Sequence, residues 1–112
     1  MGYYSYNDVK DDYTMRNFCI DRDRYILIPY IKAALKLRPD LRMWASPWTP
    51  PAWMKVNEHY SQKSAGIEKT DIGHNRLDPN RNVLGNVTGF KMQQGYLQAY
   101  AIYFSKYVQA YK

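Results

Sequence analysis

Hydrophobic residues recur at helical spacing in two stretches of this chain of 112 residues. In the first stretch, Ile28, Ile31 and Leu35 fall on one side of a helix, and two lysines fall on the other side. Pro29 is tolerated only in a first turn, so the pattern predicts a helix that begins near residues 26–28. An Arg-Pro-Asp sequence then ends this helix.

The second stretch, residues 95–112, predicts the longest helix of the chain. Polar residues alternate there with an apolar stripe at spacings of three and four, which is typical of a helix that packs one face against a core. The stripe consists of Leu97, Tyr100, Ala101, Phe104, Val108 and Tyr111.

A short apolar run at residues 41–45, with the sequence L-R-M-W-A, predicts a strand between these helices. A helix that is followed by a strand after three residues is half of a β-α-β unit, and such units build parallel sheets. The pattern therefore indicates the α/β class. A parallel strand needs neighbours, however, and only the tyrosine-rich residues 3–6 offer a second candidate.

The predicted strand leads into a loop, residues 46–55, with the sequence S-P-W-T-P-P-A-W-M-K. Its prolines fix the backbone angle φ and remove amide donors, so we expect a stiff loop. Trp53 lies between Ala52 and Met54 and is expected to pack against neighbouring helices. For Trp48, stacking on a ligand and packing in a core are equally open, because the indole face suits the C–H face of a sugar ring.

The segment from residue 56 to residue 95 is long, polar and punctuated by glycines. A compact domain seldom contains an irregular segment of this length. We therefore predict a functional loop or an insertion at residues 56–95.

The net charge is +6, from 16 basic and 10 acidic residues. These charges are scattered, so solvated helix faces explain them better than a nucleic-acid site does. The chain has no apolar run long enough for a membrane span and no signal peptide, and its compartment stays open. Its 12 tyrosines suit either a carbohydrate-binding surface or a core of amphipathic aromatic residues.

The carboxylates offer no convincing catalytic pair. The two glutamates, Glu58 and Glu68, both fall in the polar segment, whereas a retaining glycosidase needs two carboxyl groups on rigid supports. The aspartates fall in predicted turns or caps, with Asp21 or Asp23 expected to cap the first helix.

No metal or cofactor site is expected either. His59 and His74 are not accompanied by a cysteine cluster or by a helical histidine pair. Cys19 has no evident basic partner, so we expect a small buried hydrophobic residue and not a nucleophile.

The sequence S-P-W-T-P-P-A-W-M-K-V-N at residues 46–57 closely resembles the signature S-P-W-S-P-P-x-W-M-K-T-N of glycoside hydrolase family 30, the glucosylceramidase-like enzymes. Residues 4–8, 17–18 and 28–31 and the aromatic helix at residues 96–112 match the family in the same order. The resemblance covers nearly the whole chain except residues 60–94, which look like a lineage-specific insertion.

The resemblance implies a TIM barrel whose two catalytic glutamates follow its fourth and seventh strands. By this resemblance, residues 1–112 would be a partial barrel, with about two helices and one or two parallel strands, that lacks both glutamates. Asn57-Glu58-His59 looks like the Asn-Glu-Pro acid/base motif, but it follows the third strand, so we assign Glu58 no catalytic role.

The resemblance also implies a sugar-binding wall. The family counterpart of Trp48 lines the pocket for the glycone, and Tyr4 and Tyr6 match a segment beside the active site. Asn57 is expected to be a substrate-binding residue together with Trp48, Tyr4 and Tyr6, and to help order the loop. The parent enzyme would cleave a β-glucosyl bond by a retaining mechanism, with a β-glucoside as substrate and the rest of the barrel as partner. A secreted or periplasmic parent stays open.

A non-catalytic carbohydrate-binding module that uses Trp48 and the tyrosines is the main alternative. Such a module needs a self-sufficient fold, and one strand with two helices leaves sheet edges uncovered. A helical interaction protein is a weaker alternative, because the last helix shows no heptad repeat.

Overall fold

The computed structural model describes residues 4–63, 75, 77–85 and 88–112. Three α-helices lie in these ranges: α1 (Asp21–Tyr25), α2 (Leu27–Leu37) and α3 (Gln94–Ala110). Short 3-10 helices lie at Ala52–Met54 and Pro79–Arg81. The two predicted helices are confirmed. Helix α2 begins at Leu27, which places Pro29 in the first turn, where its missing amide is not needed.

The predicted strand at residues 41–45 is wrong for this structure. These residues have no regular secondary structure, and the described part of the chain contains no β-strand. Its β-type pairing is one isolated antiparallel bridge between Lys55 and Phe90. A strand exists only where a neighbour accepts and donates its backbone hydrogen bonds, and the described residues supply no neighbour to residues 41–45. The elements seen are therefore helical, and the expected parallel strands are not among them.

An aromatic and sulfur-rich core joins three distant parts of the chain. Its buried members come from the N-terminal segment, from the proline-rich loop and from α3: Met15, Trp53, Met54, Ala99 and Tyr103. Tyr6 packs beside them, with its ring centroid 6.0 Å from that of Tyr103 and 5.4 Å from that of Tyr107. Many of the tyrosines thus serve the core, which was one of the two roles expected for them.

The buried face of α3 is shifted by one position along the chain relative to the predicted stripe. Its buried residues are Ala99, Tyr103 and Tyr107, whereas Leu97 and Val108 of the predicted stripe are exposed. Tyrosine explains the offset, because its ring packs in the core while its hydroxyl stays hydrogen-bonded. The hydroxyl of Tyr103 accepts a hydrogen bond from the backbone N–H of Tyr6 at 3.2 Å.

Helix α2 and residues 41–45 leave apolar surface uncovered in the described structure. No residue of α2 is fully buried, and Trp44 is 91% exposed. A groove of about 1210 Å³ separates α2 and residues 42–45 from the end of α3. None of the helices in the described ranges is long and apolar enough to cross a membrane.

Candidate functional site

The two tryptophans of the proline-rich loop differ sharply in exposure. Trp53 is only 5% exposed, and its indole Nε1 donates a hydrogen bond to the backbone carbonyl of Asn7 at 3.1 Å. Its expected packing role is confirmed. Trp48 is 85% exposed, although the preceding Pro47 is buried. Of the two possibilities for Trp48, packing in the core is therefore excluded in this structure.

Trp48 lies at the edge of a cavity of about 170 Å³. Tyr4 and Tyr6 line the same cavity, so the structure brings together three of the four side chains that the sequence singled out. The other lining residues were not predicted: Ser5, Thr49, Tyr60 and Tyr103. Thr49 adjoins Trp48 in the motif, but no spacing in the sequence connects Tyr60 or Tyr103 with it.

A buried lysine supports one side of this cavity. Lys55 is almost fully buried, and its Nζ donates hydrogen bonds to the carbonyl of Tyr60 at 2.6 Å and to the hydroxyl of Thr49 at 3.4 Å. Burial lowers the pKa of Lys55. Because it binds two residues that line the cavity, Lys55 fixes the proline-rich loop against the segment that contains Tyr60.

Tyr4 and Tyr6 also line the cavity, and their rings meet edge to face at 6.2 Å between centroids. The hydroxyl of Tyr4 donates a hydrogen bond to Oδ1 of Asp23 at 2.8 Å. This hydrogen bond raises the pKa of Tyr4, and burial raises the pKa of Tyr6. Both phenols are therefore protonated at neutral pH, and the one O–H proton of Tyr4 is donated to Asp23.

Asn57 lies apart from this cavity. Its side-chain amide donates to the carbonyl of Ser61 at 2.8 Å, and its Oδ1 accepts from the amide of His59 at 3.3 Å. It lines a different, shallow cavity of about 360 Å³ together with Glu58 and Arg81. These contacts tie residues 57–61 into a turn. Asn57 does not line the cavity at Trp48.

Glu58 has the electrostatics of a surface ion pair. Its Oε1 lies 3.2 Å from Nζ of Lys91 and 3.5 Å from Nζ of Lys10. The hydrogen bond from Lys91 is the main cause that lowers the pKa of Glu58. A general acid needs a raised pKa, so Glu58 has the opposite property. The predictions about Glu68 and His74 lie outside the described residues.

Two smaller predictions are wrong. Cys19 is exposed, and its Sγ accepts a hydrogen bond from the amide of Asp21 at 3.3 Å. The predicted first helix is α2, which begins at Leu27 after Ile26, and no side chain caps that end. Asp23 is instead buried and accepts from the hydroxyls of Tyr4 and Tyr111. In the described ranges, no group of three histidine, cysteine or acidic residues could hold a metal ion.

The chemistry of the cavity at Trp48 follows from its lining. Its walls are aromatic rings and hydroxyl groups, which match the apolar faces and the hydroxyls of a sugar. No carboxylate belongs to its lining, so the two carboxyl groups of a retaining glycosidase are not found there.

The model of the glycosyl hydrolase family 30 TIM-barrel domain matches residues 1–78 of the chain. The chain is 34% identical over 109 residues to putative glucosylceramidase 1 of Caenorhabditis elegans. It is 38% identical over 65 residues to lysosomal acid glucosylceramidase of Mus musculus, and 34% identical over 112 residues to an endo-1,6-beta-D-glucanase of Aspergillus fumigatus.

These alignments cover 96%, 55% and 97% of the chain, in the same order, but only 17%, 12% and 20% of the relatives. The chain thus spans less than a quarter of the length of these curated relatives. No solved structure matches it. The domain match and these relatives show that the chain belongs to glycosyl hydrolase family 30. The resemblance stated from the proline-tryptophan motif is confirmed.

Proposed function

We propose that this chain is part of a retaining β-glycosidase that hydrolyses β-glucosyl bonds, and that it forms one wall of the sugar-binding site. The observation that carries the proposal is the convergence of Tyr4, Tyr6 and Trp48 on one cavity. The relatives support the substrate class, because they are named as glucosylceramidases and as endo-1,6-beta-D-glucanases.

In this proposal the catalytic glutamates belong to parts of the enzyme other than these 112 residues. A retaining mechanism needs an acid/base and a nucleophile whose carboxyl groups lie about 5 Å apart. The Trp48 cavity has no carboxylate in its lining. Glu58 is paired with Lys91 and Lys10, and this pairing lowers the pKa of Glu58. Trp48 would then bind and orient the glucosyl unit, while Tyr4 and Tyr6 contribute ring surface.

The remainder of the barrel is the proposed partner of this chain. Uncovered apolar surface on α2 and on residues 41–45 supports this view, because monomeric proteins rarely leave large apolar patches exposed. Residues 41–45 would form a barrel strand when neighbouring strands satisfy their backbone hydrogen bonds. Residues 56–95 would be a loop or insertion of that barrel domain.

An NMR titration of the chain with methyl β-D-glucoside tests the sugar-binding wall. We expect a Kd on the order of millimolar, because only one wall is present, and shifts of the indole N–H of Trp48 and of the backbone amides of Ser5 and Thr49, which line the same cavity. Trp48→Ala should abolish the shifts of the Ser5 and Thr49 amides. Trp44→Ala is the matched control, because Trp44 is equally exposed but lines the separate groove. Shifts that survive Trp48→Ala, or equal binding of methyl α-D-glucoside, would contradict the proposal.

A turnover assay with a chromogenic β-glucoside tests the proposed absence of the catalytic carboxylates. The purified chain should release no chromophore above the rate of the buffer. Hydrolysis that persists in the Glu58→Gln variant would place a catalytic pair elsewhere in these residues and refute that part of the proposal.

A free-standing carbohydrate-binding module is the second candidate. The observation in its favour is the aromatic core, which ties the N-terminal segment, the proline-rich loop and α3 together without a sheet. A sharp, cooperative thermal transition of the monomer would favour the module. For part of a barrel we expect a broad transition and binding of a hydrophobic dye in the groove beside α2.

A further inference from the structure

We infer that Asp23 is a positioning residue that holds the ring of Tyr4 in place beside Trp48 at the proposed sugar-binding wall. The relevance to a ligand rests on the proposed function, whereas the fixing of Tyr4 is a property of the fold. Asp23 does not line the cavity, so its influence on a ligand would act through Tyr4.

Because Asp23 is buried, its carboxylate oxygens depend on hydrogen-bond donors from the protein. The residue is only 2% exposed, and a buried carboxylate is costly unless both oxygens have hydrogen-bond donors. Oδ1 accepts from the hydroxyl of Tyr4 at 2.8 Å, and Oδ2 accepts from the hydroxyl of Tyr111. Each phenol is therefore held by a buried carboxylate that the hydroxyl of Tyr6 also approaches, and releasing either phenol removes a donor from a buried oxygen.

Two further contacts complete the fixing of Tyr4. The guanidinium carbon of Arg22 lies 4.5 Å from the centroid of the Tyr4 ring and covers one face of it. The ring of Tyr6 meets it at an interplanar angle of 82°. With its hydroxyl bound and its ring flanked, Tyr4 loses its rotational freedom before any ligand arrives. A wall that is ordered in advance binds more tightly, because ordering it no longer opposes binding.

The substitution Asp23→Asn tests this inference, because it keeps the shape but offers only one acceptor oxygen to two phenols. We expect the Kd for methyl β-D-glucoside to rise roughly tenfold. Tyr4→Phe should have a similar effect, and the double variant should bind no more weakly than either single variant. If Asp23→Asn does not fold, Tyr4→Phe alone still tests the hydrogen bond.

Tyr111→Phe is the matched control. It removes the other hydrogen bond of Asp23, but Tyr111 lines the groove beside α2 and not the Trp48 cavity. Its Kd should stay within about twofold of the native value. An equal loss of affinity in Tyr111→Phe and Asp23→Asn would show that Asp23 acts only through general stability, and would overturn the inference.

The ring of Tyr4 provides a second readout by carbon-13 NMR. The hydrogen bond to Asp23 raises the pKa of Tyr4, so Asp23→Asn should lower that pKa towards its usual value. A changed Tyr4 ring with an unchanged Kd would overturn the positioning role. If the native chain binds no glucoside, the proposed function fails, and the Tyr4 ring alone decides the fixing: unchanged Tyr4 signals in Asp23→Asn then overturn it.

Discussion

The substitution Trp53→Phe should destabilise the core while leaving the Trp48 cavity lined as before. Trp53 is nearly fully buried, and its Nε1 donates to the carbonyl of Asn7, which is itself buried. Phenylalanine has no N–H, so the carbonyl loses its partner at a cost of about 1–3 kcal/mol. The smaller ring also leaves a void against Tyr13 and Tyr96, which adds about 1 kcal/mol. The expected total is about 2–4 kcal/mol.

Trp48→Phe is the matched control within the same loop. The side chain of Trp48 is 85% exposed, so its shortening should change the stability by no more than about 0.5 kcal/mol. Two tryptophans five residues apart are thus expected to differ severalfold in their effect on stability. They should also differ in their effect on glucoside binding, but in the opposite order.

Amide hydrogen exchange measured by NMR is the appropriate assay, because it reports the free energy of local opening without requiring a cooperative transition. The amides of Tyr103 and Tyr107 in α3 lie in the core and should be well protected. Trp53→Phe should speed their exchange by about 30- to 1000-fold, which corresponds to 2–4 kcal/mol. Unchanged exchange in Trp53→Phe, or equal acceleration in Trp48→Phe, would refute the division of roles between the two tryptophans.

Three further predictions concern charged and titratable groups. Lys55→Met should remove the charged donor of the Tyr60 carbonyl, which keeps the weaker hydrogen bond from the Thr49 hydroxyl, and should loosen that segment by about 1–3 kcal/mol, measured as faster amide exchange there. Lys91→Met should raise the pKa of Glu58 towards its usual value in a carbon-13 titration, and an unchanged pKa would exclude the ion pair. Burial lowers the pKa of His59 from 6.5, so the unfolded chain binds more protons than the folded one below that pH. The contribution of neutral His59 to the stability of the fold is therefore fully present above about pH 6.5 and falls as the pH decreases through that value. Thermal scans of the native chain between about pH 7 and about pH 5 should show this decline, and scans of His59→Gln should lack it.

The sequence-based predictions succeeded where the structure depends on residues close together in the chain, and failed where it depends on distant residues. Helices α2 and α3 depend on periodic patterns and on the position of Pro29, and both were predicted. A strand depends on a neighbour that is distant in sequence, and the prediction for residues 41–45 failed where the described chain supplies none. The offset face of α3 has a chemical cause, because the buried stripe is carried by tyrosines such as Tyr103 and Tyr107, which hydropathy patterns rank as weakly apolar.

The candidate site was predictable where it lies in the motif and not where tertiary contacts build it. Trp48, Tyr4 and Tyr6 were identified from the proline-tryptophan signature and its flanking segments, and they share one cavity. Tyr60 reaches that cavity from the irregular segment, for which no local pattern exists. Asp23 was interpreted as a cap because acidic residues favour helix starts, whereas its burial depends on Tyr111, far along the chain.

The proline-rich loop contributes one tryptophan to the core and the other to the candidate site. On its inner side, Trp53 binds the carbonyl of Asn7, and that carbonyl follows directly after Tyr6 in the chain. The exposed Trp48 lines the same cavity as Tyr4 and Tyr6. The same buried contact therefore ties the segment of the two tyrosines to the loop that contains Trp48. Because this contact needs no strand, the aromatic residues can assemble around the cavity even though residues 41–45 are unpaired. Lys55 holds the same loop to Tyr60 by a second, partly buried contact, so the loop stays ordered when either contact alone is weakened, and an ordered loop is what a sugar-binding wall requires.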